Sequence, residues 1–410
     1  MKTITKAAAF GLTIILAAGE GAAQDNDKVV SYDSVKVAVL GDMSGPYKDI
    51  GGPGQVVAAQ MAVDDFGGSV LGKPISLISA DNQTTPSVAS TIARQWIDRE
   101  HVDMITGFNS SSVAVAVQGL ASAKNTITID VSSGTTALTE DQCSKYGLHY
   151  TYDTYALPVG TARAIVEDGG NTWFFIAADY EFGQSLQRNT TAVVKEMGGK
   201  VLGGVSVPLG STDFASYLIQ AKSSGAEVIA LANTGADVVN AIKQANEFGI
   251  VQGGQQLAAM LMFLTDVKAL GLDTAKGLKF TTAFYWDRTD ESREWSKRYF
   301  EKHGAMPTMA QAGTYSSVLT YLKAVEEAGT DDADSVREVL GNMTINDMFV
   351  ENGKVLPNGL VKHDMYLVQV KSPEESDGPW DLMKVVATIP AEKAWIPLSE
   401  SACPLLNTAE

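Results

Sequence analysis

The chain has 410 residues, 45% of them hydrophobic and 19% charged, with a formal net charge of -17. That acidity repels nucleic acid and anionic lipid surfaces, so both are excluded as partners, and the length exceeds what one ordinary core holds, so two domains are expected. Two cysteines without a CxxC pair and four scattered histidines exclude a zinc or redox motif of known spacing.

Residues 1–23 open with Lys2 and Lys6, continue as an apolar run from Ala7 to Ala18 and end in small residues at Gly21 and Ala23. This is the pattern of a cleaved export signal, too short to span a bilayer comfortably, and it predicts a periplasmic or otherwise secreted mature protein. In that oxidising setting Cys143 and Cys403 are expected to pair, which would tie the tail, 401–410, back to the middle of the chain; two buried free thiols are the alternative.

After the leader, strand-length apolar runs alternate with amphipathic helical segments. Strands are predicted at 35–41, 74–80, 103–107, 126–130, 173–178, 200–207, 227–233 and 278–283. Helices are predicted at 54–66, 86–100, 111–123, 156–168, 183–197, 213–223, 235–248, 290–303 and 310–328. Such alternation predicts an α/β fold of two similar doubly wound lobes with parallel central sheets. The Tyr-rich stretch 149–158 and the stretch 281–290 suit crossovers at a hinge. Lobe 1 is therefore expected to hold 34–152 and about 284–340, and lobe 2 to hold 153–283 and about 341–400.

Ligands in open α/β sheets sit beyond the carboxyl ends of the strands. The loops there are "GDMSGPYKDIGGPG", "TGFNSSS", "DVSSGTT", "AADYEFG" and "ANTGAD". The second puts Asn109, Ser110 and Ser111 at a helix start, where one hydroxyl suffices as a cap. Surplus hydroxyls beside free N–H groups make an anion site, the alternative being an over-capped solvated loop. Ser132, Ser133, Gly134 and Thr135 follow the next strand and strengthen the site reading. No G-x-G-x-x-G, Walker or G-x-S-x-G motif is present, so a dinucleotide, nucleotide or hydrolase site has no support, and no cofactor or metal is expected.

In this order, the motifs "VKVAVLGDMSGPY", "TGFNSSS", "DVSSGTTALT", "DYEFGQS" and "GAEVIALANTGAD" resemble the type I periplasmic binding proteins of the leucine/isoleucine/valine class. The resemblance spans most of the mature chain. It implies a receptor without catalysis, expected to be monomeric, that closes on a small carboxylate and delivers it to an inner-membrane ABC permease. It also implies that Ser110 and the loop from Ser132 to Thr135 grip the ligand carboxylate, and that the loop holding Asp179 and Phe182 supplies an apolar contact. Tyr47, Tyr155, Asn233, Thr234 and Trp286 lie in loops or crossovers that face the cleft.

Two departures bear on the ligand. Gly134 stands where amino-acid binders commonly carry Thr, and the stretch expected to pair with a substrate ammonium reads "LAAMLMFLTD", whose one acid, Asp266, suits a helix cap. A buried ammonium without an anion costs several kcal/mol. An aromatic or hydrophobic organic acid, or a 2-keto acid, is therefore expected ahead of a branched-chain amino acid. A secreted α/β enzyme acting on a small carboxylate, or a sensor of the same fold, remains open at this level.

Overall fold

The computed structural model describes residues 1, 3 and 29–407. The predicted export signal falls almost entirely outside those residues. All eight predicted strands are present, each within two residues of its expected ends, as are eight of the nine helices.

The first lobe is built on a six-stranded sheet. Its strands are β1 (Val35–Gly41), β2 (Ser69–Val70), β3 (Lys73–Asp81), β4 (Met104–Gly107), β5 (Ile127–Asp130) and β6 (Gly147–His149), in the order β2-β3-β1-β4-β5-β6. All neighbours are parallel except the β2–β3 pair. The second lobe carries β7 (Thr172–Ala178), β8 (Lys200–Val207), β9 (Val228–Ala232) and β10 (Gln256–Ala259) in a parallel sheet of order β10-β9-β7-β8. Strands buried on both faces need no alternation, and β1 and β9 are accordingly near-continuous apolar runs.

Helix ends follow local chemistry. Thr289 and Thr308 accept hydrogen bonds from the N–H groups of Ser292 and Gln311 at the starts of Asp290–His303 and Met309–Ala328, and both helices stop at a left-handed glycine, Gly304 or Gly329. The helix predicted to run to residue 100 is α-helical only over Pro86–Gln95 and finishes as a π turn, Trp96–Glu100. The π turn ends at His101, left-handed at φ 55°.

Beyond these, the chain adds β11 (Lys279–Thr282), β12 (Thr344–Ile345), β13 (Gly353–Val355), β14 (Val361–Lys362), β15 (Met365–Val370) and β16 (Met383–Ile389). Strands β11, β15 and β16 form one antiparallel sheet, and β12, β13 and β14 another. The latter lies against the first lobe, where Leu360 bridges to His149, Asn358 reaches Thr139 and Arg337 reaches Lys145. The sequence expectation assigns 341–362 to the second lobe. The contacts of Leu360 and Asn358 run from that stretch to the first. Periodicity sees too little to show this, because the strands are two or three residues long.

After β16 the tail turns back along residues 362–364. Ala391 N–H donates to Asp364, Glu392 pairs with Lys362, and the Trp395 indole donates to His363 O at 2.7 Å. Ser401 and Ala402 then bond Glu140, and Cys403 is disulfide-bonded to Cys143 with a Cα–Cα distance of 5.6 Å. The expected pairing is therefore present, and the chain end is covalently returned to the first lobe. His149 and His363 are buried, at 1% and 2% exposure, and serve as internal hydrogen-bonding groups, with Nε2 bonded to Ser133 O and Tyr150 O respectively.

Candidate functional site

Both sheets reverse their strand order beside their first strand. In the first lobe β3 and β4 flank β1, and in the second β8 and β9 flank β7. Reversal leaves a crevice between the loops leaving adjacent strands in opposite directions, which is where open α/β sheets hold ligands. The loops after β1, β4 and β5 and those after β7, β9 and β10 meet across the lobes. They enclose a cavity lined by Tyr47, Ile50, Asn109, Ser111, Ser132, Ser133, Gly134, Tyr152, Tyr180, Phe182, Thr234, Leu261 and Phe263. A larger cavity, about 750 Å³, is an open groove on the second lobe, and no residue of either serine loop lines it.

The serine loops are held stiffly. Phe108 and Asn109 both have positive φ, at 82° and 54°, a region costly for non-glycine residues. Hydrogen bonds over-determine them: Phe108 N–H donates to Leu40 O at 2.8 Å, the Asn82 amide donates to Phe108 O at 2.8 Å, and Asn109 Oδ1 accepts from Asp42 N–H at 3.0 Å. Ser132 Oγ donates to Gly107 O at 2.7 Å and accepts from Asn109 N–H at 3.1 Å and Gln55 Nε2 at 3.2 Å. Asp130 accepts from the N–H groups of Ser132 and Ser133 and from the Ser133 hydroxyl. Ser132 and Ser133 line the cavity, but their hydroxyls are spent on fixing the loop.

Ser111 has the free geometry. Its Oγ accepts from the N–H groups of Gly134 at 3.3 Å and Thr135 at 3.2 Å, and it sits in the first turn of Ser111–Ser122. Both N–H groups are taken up by Ser111 Oγ, which leaves its own O–H to donate into the cavity from a helix N-terminus, a pattern suited to an anion. Ser110 is the extended N-cap residue at φ -137°, buried but outside the cavity lining, so the hydroxyl facing the cavity is its neighbour's.

The remaining wall is aromatic. Tyr47, Tyr152, Tyr180, Phe182 and Phe263 contribute five rings. Tyr47 and Tyr180 join hydroxyls across the lobes at 2.8 Å, and Tyr152 donates to Ser132 O at 2.9 Å. Burial pushes all three phenols well above their ordinary range, so they present O–H groups. Thr135 donates to Glu181 at 2.8 Å and so adds a second bridge between lobes. The lobes are shut on one another: the free volume inside is about 10 Å³, roughly one water.

Of the sequence-predicted residues, Tyr47, Asn109, Ser111, Ser132, Ser133, Gly134, Phe182 and Thr234 line the cavity. Ser110, Thr135, Asn233, Tyr155, Asp179 and Trp286 do not. Asn233 is buried next to Thr234 with neither amide atom hydrogen-bonded. Asp179 is exposed, Tyr155 is half-buried at the start of helix Ala156–Glu167, and the Trp286 indole donates to Trp380 O at 2.9 Å. Sequence reasoning missed Ile50, Tyr152, Tyr180, Leu261 and Phe263 as individuals. Each nevertheless falls in a stretch it had singled out.

No Asp or Glu lines this cavity. Two buried carboxyls stand behind it. Asp266 caps helix Leu264–Leu270 by accepting from Phe263 N–H at 2.9 Å, as its position predicts, and burial pushes it up to about 7. Asp237, raised by burial to about 6, accepts from Gly210 N–H at 3.1 Å. A carboxyl raised in the fold binds its proton more tightly there than in the unfolded chain, so its contribution to stability is full below about pH 4 and is lost as pH climbs towards 7. Asp266→Asn keeps an acceptor for Phe263 N–H and cannot ionise. Its melting temperature should therefore fall less than the wild type's between pH 5 and pH 8, and parallel curves would show that Asp266 does not titrate in that window.

A family model described as periplasmic binding protein matches residues 34–379. A periplasmic binding protein from Burkholderia mallei is 49% identical with a TM-score of 0.89, the match covering 91% of this chain and 99% of that one. A branched chain amino acid ABC transporter periplasmic ligand-binding protein from Burkholderia xenovorans LB400 is 39% identical, TM-score 0.81, over 91% of this chain and 100% of that one. An ABC transporter solute binding protein from R. palustris, in complex with 4-hydroxybenzoate, shares the fold at 22% identity and TM-score 0.81, over 90% of this chain and 100% of that one. With two lobes closing on a cavity at their strand ends and a family match over most of its length, this chain belongs to the periplasmic binding protein family.

Proposed function

We propose that the chain is the exported, periplasmic solute-binding component of an ABC importer, and that it closes on a small carboxylate with an aromatic or hydrophobic body before delivering it to an inner-membrane permease. The observation that carries the ligand class is the cavity lining. It sets the Ser111 hydroxyl, oriented by the Gly134 and Thr135 N–H groups, and a helix N-terminus at one end, and five aromatic rings around the rest, with no acidic side chain among them. A carboxylate gains charge-assisted hydrogen bonds there, and the rings offer apolar area and flat faces. An ammonium would be desolvated beside rings and phenol O–H groups without a carboxylate in contact.

A branched-chain amino acid is the second reading, favoured by the 39% identical relative from B. xenovorans. For it, Asp237 would have to turn towards the cavity. Its Oδ1 is buried and has no hydrogen-bond partner.

Thermal-shift and calorimetric titration of the purified protein separate the two. Leucine and phenylalanine should be compared with their 2-keto acids and with benzoate-type and cinnamate-type acids. A ligand at 100 times its dissociation constant stabilises by about 2.7 kcal/mol, which is readily seen. The acids are expected to raise the melting temperature and to be recovered unchanged. A response to the amino acids alone would transfer the assignment to them, and turnover would overturn the receptor reading.

Ser111→Ala should weaken carboxylate binding about ten-fold or more, since one charge-assisted hydrogen bond contributes roughly 1.5–3 kcal/mol. Ser110→Ala should have a smaller effect. Equal affinities for Ser111→Ala and wild type would mean that the anion sits elsewhere.

A further inference from the structure

Next to the aromatic cavity lies a second chamber between the same two lobes, about 460 Å³ in volume. The first lobe contributes Pro46, Asp49 and Met306 to it, and the second contributes Val239, Lys268 and Trp380. Ile50 is the one side chain that lines both chambers. Opposite it stands Gly235, at φ 62°, directly after the cavity residue Thr234; a Cβ there would lie 3.3 Å from Ile50 Cδ1 and 3.4 Å from a Tyr47 ring carbon. Ile50 thus stands in the wall between the chambers, beside Tyr47 and Pro46, against a glycine of the other lobe.

Ile50 is not free to swing aside with its loop. It is 4% exposed, its N–H donates to Tyr47 O at 3.0 Å, and its carbonyl accepts from Thr308 Oγ1 at 2.6 Å. Thr308 caps the twenty-residue helix Met309–Ala328 in the body of the first lobe, so the partition is anchored to a rigid element.

We propose that Ile50, seated against Gly235, sets the length of ligand the protein accepts. The inference rests on the carboxylate reading of the site. An acid whose carboxylate is held at Ser111 needs more than the about 10 Å³ left in the closed cavity, so its body must displace the surrounding rings, and Ile50 bounds that space on the side of the second chamber. Native solutes are therefore short, one ring or a branched chain of similar reach, although a chamber with room for more lies directly behind. Shortening residue 50 joins the two chambers and admits longer acids. The outer chamber is then lined mainly by apolar groups, with Lys268 stacked over the Trp380 ring at 5.3 Å.

The test is a calorimetric series of benzoate, phenylacetate, 3-phenylpropanoate and 4-phenylbutanoate against wild type, Ile50→Val and Ile50→Ala, with melting curves to confirm folding. Wild type should show a drop of at least ten-fold at one step of the series. Ile50→Ala should move that drop to a longer acid and bind the longer acids at least ten-fold better than wild type does, with Ile50→Val between them. The same break in all three proteins, or a wild-type series without a break, would overturn the role of Ile50 and leave the carboxylate site standing. A wild type that binds none of these acids, nor the 2-keto acids of the previous section, would overturn the carboxylate reading itself.

Discussion

Replacing Gly134 by leucine should reduce solute affinity by about a hundred-fold while leaving both lobes folded. A Cβ at this position would stand 3.1 and 3.2 Å from Phe182 ring carbons and 3.2 Å from a Tyr152 ring carbon. Those contacts are tighter than a Cβ normally makes, and the rest of a leucine side chain would have to pass between the rings. Gly134 is not in the left-handed region, so its backbone accepts a side chain, and the obstacle is steric alone. Phe182 belongs to the second lobe and Gly134 to the first. The clash with Phe182 therefore falls on bringing the lobes together, and the one with Tyr152 is met within the first lobe. Overpacking typically costs 1–3 kcal/mol, and the upper end corresponds to roughly a hundred-fold in affinity. Gly134→Ala should lose about ten-fold. Calorimetry with the tightest acid measures both, and a melting temperature of the unliganded variant near that of wild type confirms the fold. Tight binding by Gly134→Leu would mean that Phe182 and Tyr152 retreat on ligation and do not enclose the ligand.

Removal of the disulfide, by Cys143→Ser with Cys403→Ser, should have the largest effect on stability. The bond closes a loop of 260 residues. Chain entropy alone assigns such a closure about 5 kcal/mol, an upper figure because loops this long deliver less than the formula states. For a chain of this size that corresponds to a fall of roughly 5 °C in melting temperature. The effect should be partly offset by contacts that hold the tail without the bond, chiefly Trp395 on His363 and the bonds of Ser401 and Ala402 to Glu140. Scanning calorimetry under oxidising and reducing conditions, with the double variant as control, measures the bond's share. An unchanged melting temperature would assign the tail's attachment to those side chains.

The sequence by itself determined the strands and helices of both lobes, because each is a run of local periodicity long enough to be read: a seven-residue, largely apolar stretch in β1, or twenty residues between Thr308 and Gly329. It also determined which loops make the cleft, since those loops must follow strands at their carboxyl ends. The cysteine pairing followed from count and compartment.

Tertiary structure decided everything that depends on direction. Ser110 and Ser111 are adjacent and chemically identical, but the rotation of the helix start turns only the second into the cavity. Phe182 was legible in its loop, whereas Tyr180, two residues earlier, gained its role from meeting Tyr47 across the cleft. Leu261 and Phe263 follow a strand of four residues, too short for its period to register. The bare Cα of Gly134 has no local cause, as its φ is ordinary, and its reason is the pair of rings that come to rest on it. The stretch 341–362 joined the first lobe through pairings no window of sequence contains. Periodicity reports which face of an element is apolar. Which side chain from one lobe meets which from the other depends on contacts between distant residues, 46 positions apart for Thr135 and Glu181 and 133 for Tyr47 and Tyr180.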